Sequence, residues 1–181
     1  MDDRRVSKLL SLVLRHDPGR VGIELDAGGW ALVERLLAAL AEHGVRMTRA
    51  DLQRLVRESD KQRFSLDTDR DRIRANQGHS VEVDLDLRPQ APPVRLFHGT
   101  PERNVATILR DGIARRGRHA VHLSADVDTA TRVGARRGRP VVLEVDAAGM
   151  HRDGHVFTRS ANGVWLTESV PAGYVRILEP V

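Results

Sequence analysis

The 181-residue chain contains no cysteine, and this absence is the first limit that its composition sets on function. Without thiols there can be no disulfide framework, thiol nucleophile, iron–sulfur cluster or thiolate zinc site. No apolar run approaches the roughly 20 residues that a membrane-spanning helix needs, and the amino terminus lacks the apolar core of a signal peptide. We therefore expect a soluble, cytoplasmic protein.

Lysine is almost as scarce, because Lys8 and Lys61 are the only two among 29 basic residues. The other 27 are arginines, whose planar guanidinium groups suit bidentate binding of phosphate. Residues 1–90 carry 16 basic and 16 acidic side chains, so the net charge of +4 arises after residue 90. The arginines indicate a phosphorylated or nucleic-acid partner, although a solvated surface alone explains most of them.

The first half of the chain is predicted to form a winged helix, which is three helices followed by a β-hairpin. Apolar residues recur three times at helical spacing, and two short alternating segments follow with a polar turn between them. Thr48 and Asp51 are spaced as in a capping box at the start of the third helix. The predicted helices cover residues 6–14, 33–40 and 48–56, and the predicted strands cover 63–66 and 72–75.

Three prolines between residues 87 and 93 predict a linker, because proline removes a backbone donor and fixes φ. The linker divides the chain into domains at residues 1–86 and 94–181. Beyond it, short strands alternate with two helices, so the fold class is α+β. The predicted strands cover residues 94–97, 121–123, 141–145, 164–166 and 174–178, and the predicted helices 104–110 and 127–133.

Polar residues of the first half stand at the ends of predicted elements, where they can serve either structure or chemistry. Arg15 and His16 close the first helix, where cations stabilise free carbonyl groups. Arg63 begins the hairpin, and Arg74 with residues 77–80 forms a polar segment at its end. A solvated hairpin would have the same composition.

In the second half, His98, Gly99 and Thr100 are predicted to follow a strand and precede a helix. Gly99 permits a close backbone approach, Thr100 can cap the helix, and His98 can point above the sheet. The three residues form a weak motif when taken alone.

Two basic loops are candidates for anion binding. Residues 115–119, which include Arg118, lead into the strand that bears His122 and Ser124, and a second arginine cluster covers residues 134–139. A surface loop is the alternative interpretation of each. The histidines lack metal-ligand spacing, and neither a P-loop nor a GxGxxG motif follows a strand, so we expect no metal site and no P-loop or Rossmann nucleotide site.

Seven ordered motifs together are more specific than any one of them, and with them the chain closely resembles the tRNA (RNA) 2′-phosphotransferase family over nearly its full length. The motifs are Ser7-Lys8 with Arg15-His16, Gly29-Trp30, Asp60 to Phe64, Ile73 to Ser80, Phe97 to Thr100, Arg118 to Ser124 and Asn162 to Leu166. The resemblance implies an amino-terminal winged-helix lobe and a carboxy-terminal lobe of the ADP-ribosyltransferase type that holds NAD.

The resemblance also implies the reaction. NAD is a consumed co-substrate, and an internal 2′-phosphate of RNA attacks its nicotinamide ribose and expels nicotinamide. The ribose 2″-hydroxyl then attacks the phosphorus, giving 2′-hydroxyl RNA and ADP-ribose 1″,2″-cyclic phosphate. The implied partners are NAD and 2′-phosphorylated RNA, with tRNA from splicing among the candidates, and the protein is expected to act as a monomer without a metal.

The resemblance assigns residues to three roles. The implied catalytic residues are Arg15, His16, Arg63 and Arg118. The implied RNA-phosphate contacts add Lys8, Arg74 and His79, and the implied NAD contacts are His98, Gly99, Thr100, His122, Ser124, Gly134 and Arg136. Phe97 stands where the family often has tyrosine, which removes one hydroxyl and changes no implied step.

Two rival functions remain open at the level of the sequence. One is an ADP-ribosyltransferase that modifies nucleic-acid ends or protein and stops after the first step, against which the presence of Arg63 and Arg118 argues. The other is a winged-helix nucleic-acid-binding regulator that senses NAD, which the neutral first half makes less attractive.

Overall fold

The protein is described from a computed structural model that covers residues 2–59 and 61–178. Helices and short strands alternate through the chain, so the predicted α+β class is confirmed. The chain divides into two compact units, Met1–Asp86 and Leu87–Val181. None of the helices in the described ranges is long and apolar enough to cross a membrane.

The first unit contains the three predicted helices, with small differences at their ends. The helices are α1 (Asp3–Val13), α2 (Val33–Glu42) and α3 (Arg49–Arg57). The predicted capping box of Thr48 and Asp51 is confirmed, since each side chain accepts a hydrogen bond from the other residue's backbone N–H. Helix α1 begins at Asp3 because the Asp2 carboxylate accepts the N–H groups of Arg4 and Arg5.

One strand of the first unit was not predicted. Strand β1 (Trp30–Leu32) joins the predicted hairpin strands β2 (Phe64–Asp67) and β3 (Arg72–Ala75) in an antiparallel sheet of order β1-β3-β2. Three residues are too few to show an alternating pattern, and β1 exists because its backbone pairs with β3.

One face of this sheet packs on the three helices, and the other carries polar side chains. Phe64, Ile73 and Ala75 are buried with Leu10, Leu36 and Leu52 from the helices. Because side chains alternate along a strand, Ser65, Arg72, Arg74 and Trp30 lie on the opposite face. The hairpin therefore contributes both to the core and to a polar surface.

The second unit is built from three small antiparallel sheets with short helices between the strands. The central sheet has the order β11-β7-β4, a second has the order β6-β9-β8, and a pair joins β10 to β5. Its strands are β4 (Arg95–Pro101), β5 (Ile113–Ala114), β6 (Val121–Leu123), β7 (Pro140–Asp146), β8 (Thr158–Arg159), β9 (Trp165–Thr167), β10 (Ser169–Val170) and β11 (Val175–Ile177); its helices are α4 (Val105–Asp111), α5 (Val127–Gly134) and α6 (Ala147–Arg152).

Strand β4 differs from the sequence prediction, and strands β5, β8 and β10 and helix α6 were not predicted. Strand β4 runs through the His98-Gly99-Thr100 motif, which therefore lies within a strand and not after one. Thr100 is buried and does not cap a helix, because a 3₁₀ turn intervenes and Asn104 occupies the N-cap position of α4. The predicted linker at 87–93 contacts its own unit, where Gln90 N–H donates to the Phe157 carbonyl at 2.8 Å.

Candidate functional site

Arg15 and His16 lie in a turn just beyond α1, not at its last helical residues as predicted. The helix ends at Val13, and the Leu12 carbonyl accepts hydrogen bonds from the N–H groups of both His16 and Asp17. Asp17 then caps a 3₁₀ turn over Pro18–Val21. The turn leaves the His16 side chain exposed and the Arg15 side chain half-buried.

Arg63 is brought to Arg15 by a tertiary hydrogen bond across 48 residues of sequence. The Arg63 carbonyl accepts Arg15 Nη2 at 3.4 Å, and it also accepts the Asn76 N–H at 2.9 Å. Arg63 Nη1 in turn donates to Ser7 Oγ on α1 at 3.4 Å. The structure thus joins the Arg15 side chain to the Arg63 backbone at the base of the hairpin, and His16 follows Arg15 in the chain.

Asn76 fixes the backbone on which Arg63 lies, and the sequence analysis gave it no role. Its side chain is buried, Nδ2 donates to the Gln62 carbonyl at 2.6 Å, and Oδ1 accepts the Ser65 hydroxyl at 2.6 Å. Gln62 has φ of +38°, a conformation that costs a non-glycine residue free energy. The amide therefore holds a strained residue immediately before Arg63.

The segment after β3 folds back over the Arg15-His16 turn. The Arg15 carbonyl accepts the N–H groups of Ser80 at 2.8 Å and Val81 at 3.3 Å. His16 Nδ1 lies 2.9 Å from Ser80 Oγ, so the hydroxyl fixes the orientation of the imidazole ring. His79, predicted to bind phosphate, is only 2% exposed and lies against Gly29, a placement that favours a structural role.

Replacing Ser80 by alanine is expected to lower turnover about 3- to 10-fold, the usual value of one hydrogen bond, because the His16 ring loses its fixed orientation. The backbone bond from Ser80 to Arg15 remains in this variant. The measurement is the pH–rate profile of Ser80→Ala beside Ser80→Thr, which keeps the hydroxyl. Superimposable profiles for wild type and Ser80→Ala would remove Ser80 from the site.

Arg74 lies on the polar face of the sheet, where it is held by an aromatic ring. The guanidinium carbons of Arg74 and Arg72 each lie 4.5 Å from the centre of the Trp30 ring. Burial, and to a smaller extent Arg72, lowers the pKa of Arg74. Arg74 Nη1 reaches the carbonyls of Gly28 and Leu85 at 3.4 and 3.5 Å, while its buried Nε has no hydrogen-bond partner among residues 2–59 and 61–178. Lys8, the remaining predicted phosphate contact, is exposed on α1.

In the second unit, Arg118 and His122 form a pair across the basic loop. Arg118 Nη1 lies 3.2 Å from His122 Nδ1, and the Arg118 N–H donates to the Arg115 carbonyl at 3.2 Å. Burial lowers the pKa of Arg118, and the nearby charges of Arg137 and Arg136 lower it further. A cluster of like charges costs free energy in the free protein, and a bound anion would relieve that cost.

His98 is held by the same strand that bears His122. His98 Nδ1 lies 3.2 Å from the His122 carbonyl, which can only accept, so the neutral ring carries its proton on Nδ1 and leaves Nε2 as an acceptor. Burial lowers the pKa of His98, with a smaller contribution from Arg118. His98 is therefore neutral at physiological pH.

The stability of the second unit is expected to fall as the pH drops below about 6.5, the ordinary histidine pKa. In that range the unfolded chain binds a proton at position 98 that the folded chain resists, so protonation favours unfolding. Urea unfolding midpoints measured between about pH 7.5 and 5.5 check this. The loss should shrink in His98→Gln and persist in His151→Gln, which removes an exposed histidine; equal losses in both variants would contradict the assignment.

Gly99 and Gly134, predicted as NAD contacts, lie where α5 approaches β4. A Cβ on Gly99 would overlap the Ala130 carbonyl, and one on Gly134 would lie 3.0 Å from the Thr100 nitrogen. Ser124 pairs with Phe97 through two backbone hydrogen bonds of 2.8 Å, and Arg136 is exposed in the turn after α5. Both glycines therefore serve packing, whatever else they contact.

The two units thus present separate sets of candidate residues. The first gathers Arg15, His16 and Arg63, and the second gathers His98, Arg118 and His122. Each set combines guanidinium and imidazole groups, a combination that binds phosphate and can move a proton. Within the described residues, no group of three or more histidine, aspartate or glutamate side chains could hold a metal ion.

Comparison with known proteins agrees with the chemistry of these residues. The family model described as RNA 2′-phosphotransferase, Tpt1 / KptA family, matches residues 1–169. The chain belongs to this family of enzymes. It is 54% identical to a probable RNA 2′-phosphotransferase of Streptomyces griseus over 97% of this chain and 98% of that protein. Proteins described in the same words are 55% identical in Streptomyces coelicolor and 51% in Burkholderia pseudomallei, each covering at least 94% of both chains.

Proposed function

We propose that this protein removes an internal 2′-phosphate from RNA by transferring it to NAD. Membership of the RNA 2′-phosphotransferase family supports the RNA substrate. The observation that carries the proposal is the hydrogen bond from the Arg15 side chain to the Arg63 carbonyl beside His16, because it gathers guanidinium and imidazole groups that suit a phosphate monoester. The products are 2′-hydroxyl RNA, nicotinamide and ADP-ribose 1″,2″-cyclic phosphate.

The proposal includes the architecture of each unit. The first unit, with three helices and a hairpin, is assigned to the winged-helix class, and the second, with its small antiparallel sheets, to the ADP-ribosyltransferase class. Arg15, His16 and Arg63 belong to the phosphate-binding unit. His98, His122 and Arg118 belong to the unit that takes NAD, with Arg136 as a further cation for its pyrophosphate.

In the first step an oxygen of the RNA 2′-phosphate forms a bond to C1″ of the nicotinamide ribose, and the bond to nicotinamide breaks. The leaving group departs as a neutral molecule from a cationic pyridinium, so it needs little acid assistance. The arginines neutralise the phosphate and thereby allow it to approach the negatively charged pyrophosphate of NAD. The product is RNA joined through its 2′-phosphate to ADP-ribose.

In the second step the ribose 2″-hydroxyl attacks the phosphorus, and the RNA 2′-oxygen leaves. Negative charge concentrates on the phosphoryl oxygens during this attack, where preorganised guanidinium donors stabilise it. We assign His16 to the transfer of a proton in this step. Ser80 holds its Nδ1, and the exposed ring can present Nε2 to the substrate. Arg63 and Arg118 are assigned to stabilising the negative charge on the phosphoryl oxygens.

The test is turnover of a 2′-phosphorylated RNA oligonucleotide by the purified protein, with and without NAD. We expect loss of the 2′-phosphate and release of nicotinamide only when NAD is present, and no effect of EDTA. Dephosphorylation without NAD would refute the transfer mechanism, and loss of activity in EDTA that a divalent ion restores would refute metal independence.

A further inference from the structure

A groove of about 710 Å³ opens on the first unit, away from the residues assigned to catalysis. It lies between the first turns of α1, the 3₁₀ turn at residues 18–21 and the loop after α2. Among the described residues, its lining combines aliphatic side chains with the basic Arg5, Arg20 and Arg46 and one acidic side chain, that of Asp2.

The groove and the catalytic arginines use opposite faces of α1. Ser7, which accepts a hydrogen bond from Arg63, is two residues from both Arg5 and Leu9. At 3.6 residues per turn, such a spacing places Ser7 roughly 160° around the helix axis from either of them. The groove is therefore a separate surface of the same unit.

Three arginines give the groove its charge. Arg5, Arg20 and Arg46 are exposed, and none of them forms an ion pair within the described ranges 2–59 and 61–178. The carboxylate of Asp2 is engaged as the N-cap of α1. Since residues 1–90 carry equal numbers of acidic and basic side chains, this local excess of positive charge does not follow from the composition of the unit.

We infer that this groove binds the backbone of the RNA strand that flanks the 2′-phosphate. The inference rests on the proposed function, because it is an RNA held at Arg15 and Arg63 whose flanking strand would reach the groove on the same unit. Guanidinium groups suit its phosphodiesters, and contacts at a second surface strengthen binding through a high local concentration.

The floor of the groove determines whether it contacts the bases or the backbone of the RNA. It is aliphatic, with Val6 and Val21 buried and Leu9 and Val45 half-buried. The one ring in its described lining is the imidazole of His43, whose Nδ1 lies 2.8 Å from the Ala39 carbonyl. Bases therefore find no phenyl, phenol or indole ring in the described lining to stack on, and the phosphates and ribose carbons are the groups that fit most of the groove. The groove positions RNA without reading its sequence.

The test compares two triple variants by fluorescence anisotropy with long single-stranded RNAs that carry an internal 2′-phosphate. One variant replaces Arg5, Arg20 and Arg46 with alanine, and the control replaces three exposed arginines elsewhere in the unit, Arg35, Arg57 and Arg70. A phosphate contact to a single strand contributes a slope of about 0.7 to the dependence of log K on log salt, so three contribute about 2. Between about 50 and 200 mM salt, wild type and control should lose roughly 20-fold more affinity than the groove variant.

Two further arms separate this inference from the proposed function. An oligonucleotide that is too short to extend from the phosphate site to the groove should be turned over equally by wild type and the groove variant. If wild type did not turn it over, that result would count against the proposed function alone. Long RNAs with different flanking sequences should show the same loss. Unchanged RNA affinity and salt slope in the groove variant would overturn the inference. If the same variant also bound a polyglutamate peptide more weakly than wild type, the groove would be assigned to an acidic protein segment instead.

Discussion

Alanine at Arg63 or Arg118 is expected to make an RNA 2′-phospho-ADP-ribose intermediate accumulate to levels that wild type scarcely shows. Departure of nicotinamide creates positive character at the ribose, and a nearby arginine does little to stabilise it. Attack on the phosphorus instead builds negative charge on oxygen, and removal of one preorganised donor typically costs about 100- to 1000-fold in rate. The second step should therefore slow more than the first.

A time course with radiolabelled NAD on a denaturing gel measures this accumulation, since label on the RNA reports the intermediate. Matched controls are Arg70→Ala in the hairpin turn and Arg115→Ala in the basic loop, which remove exposed arginines close in sequence to the two sites. Both controls should resemble wild type, and His16→Ala should accumulate label if His16 handles the second-step proton. If Arg63→Ala and Arg118→Ala only slow nicotinamide release, the two arginines act in binding or in the first step.

Alanine at Gly99 is expected to destabilise the second unit by about 3 kcal/mol or more, at the upper end of overpacking effects. The added Cβ would overlap the Ala130 carbonyl, which is backbone and cannot turn aside as a flexible side chain would. Helix α5 must therefore move away from β4. For a unit of this size the melting temperature should fall by roughly 10 to 20 °C.

Gly173→Ala is the matched control, because a Cβ there meets nothing within 4 Å. Circular dichroism on heating measures both variants, and Gly173→Ala should melt close to wild type. A Gly99→Ala protein that melts with wild type but loses NAD binding would show that α5 yields without cost and that Gly99 matters for the ligand alone.

Local signals in the sequence predicted most of the elements. The three helices of the first unit have apolar residues at regular spacing, and Thr48 with Asp51 marks the start of α3. Strands β1, β5, β8 and β10 and helix α6 escaped prediction, because strands of two or three residues show no period and α6 contains only six residues. Their existence depends on pairing and packing with distant segments.

The candidate site was predictable as a set of residues but not as an arrangement. No pattern in the sequence brings Arg15 to Arg63, which are 48 residues apart. Asn76 and Ser80 lie within the motif Ile73 to Ser80 but had no predicted role. The hydrogen bond from the buried Asn76 amide to the Gln62 carbonyl and the contact of Ser80 with His16 exist only after folding. The sequence predicted that another backbone segment approaches Gly99 closely, and in the structure that segment is helix α5.

Transfer of the RNA 2′-phosphate to NAD can be followed through the fate of the phosphorus atom itself. An RNA with a ³²P-labelled internal 2′-phosphate is incubated with the protein and NAD, and the products are separated by thin-layer chromatography. We expect all label to leave the RNA and to appear in ADP-ribose 1″,2″-cyclic phosphate, with one nicotinamide released for each phosphate. Label in inorganic phosphate, or label that stays on RNA at completion, would contradict it.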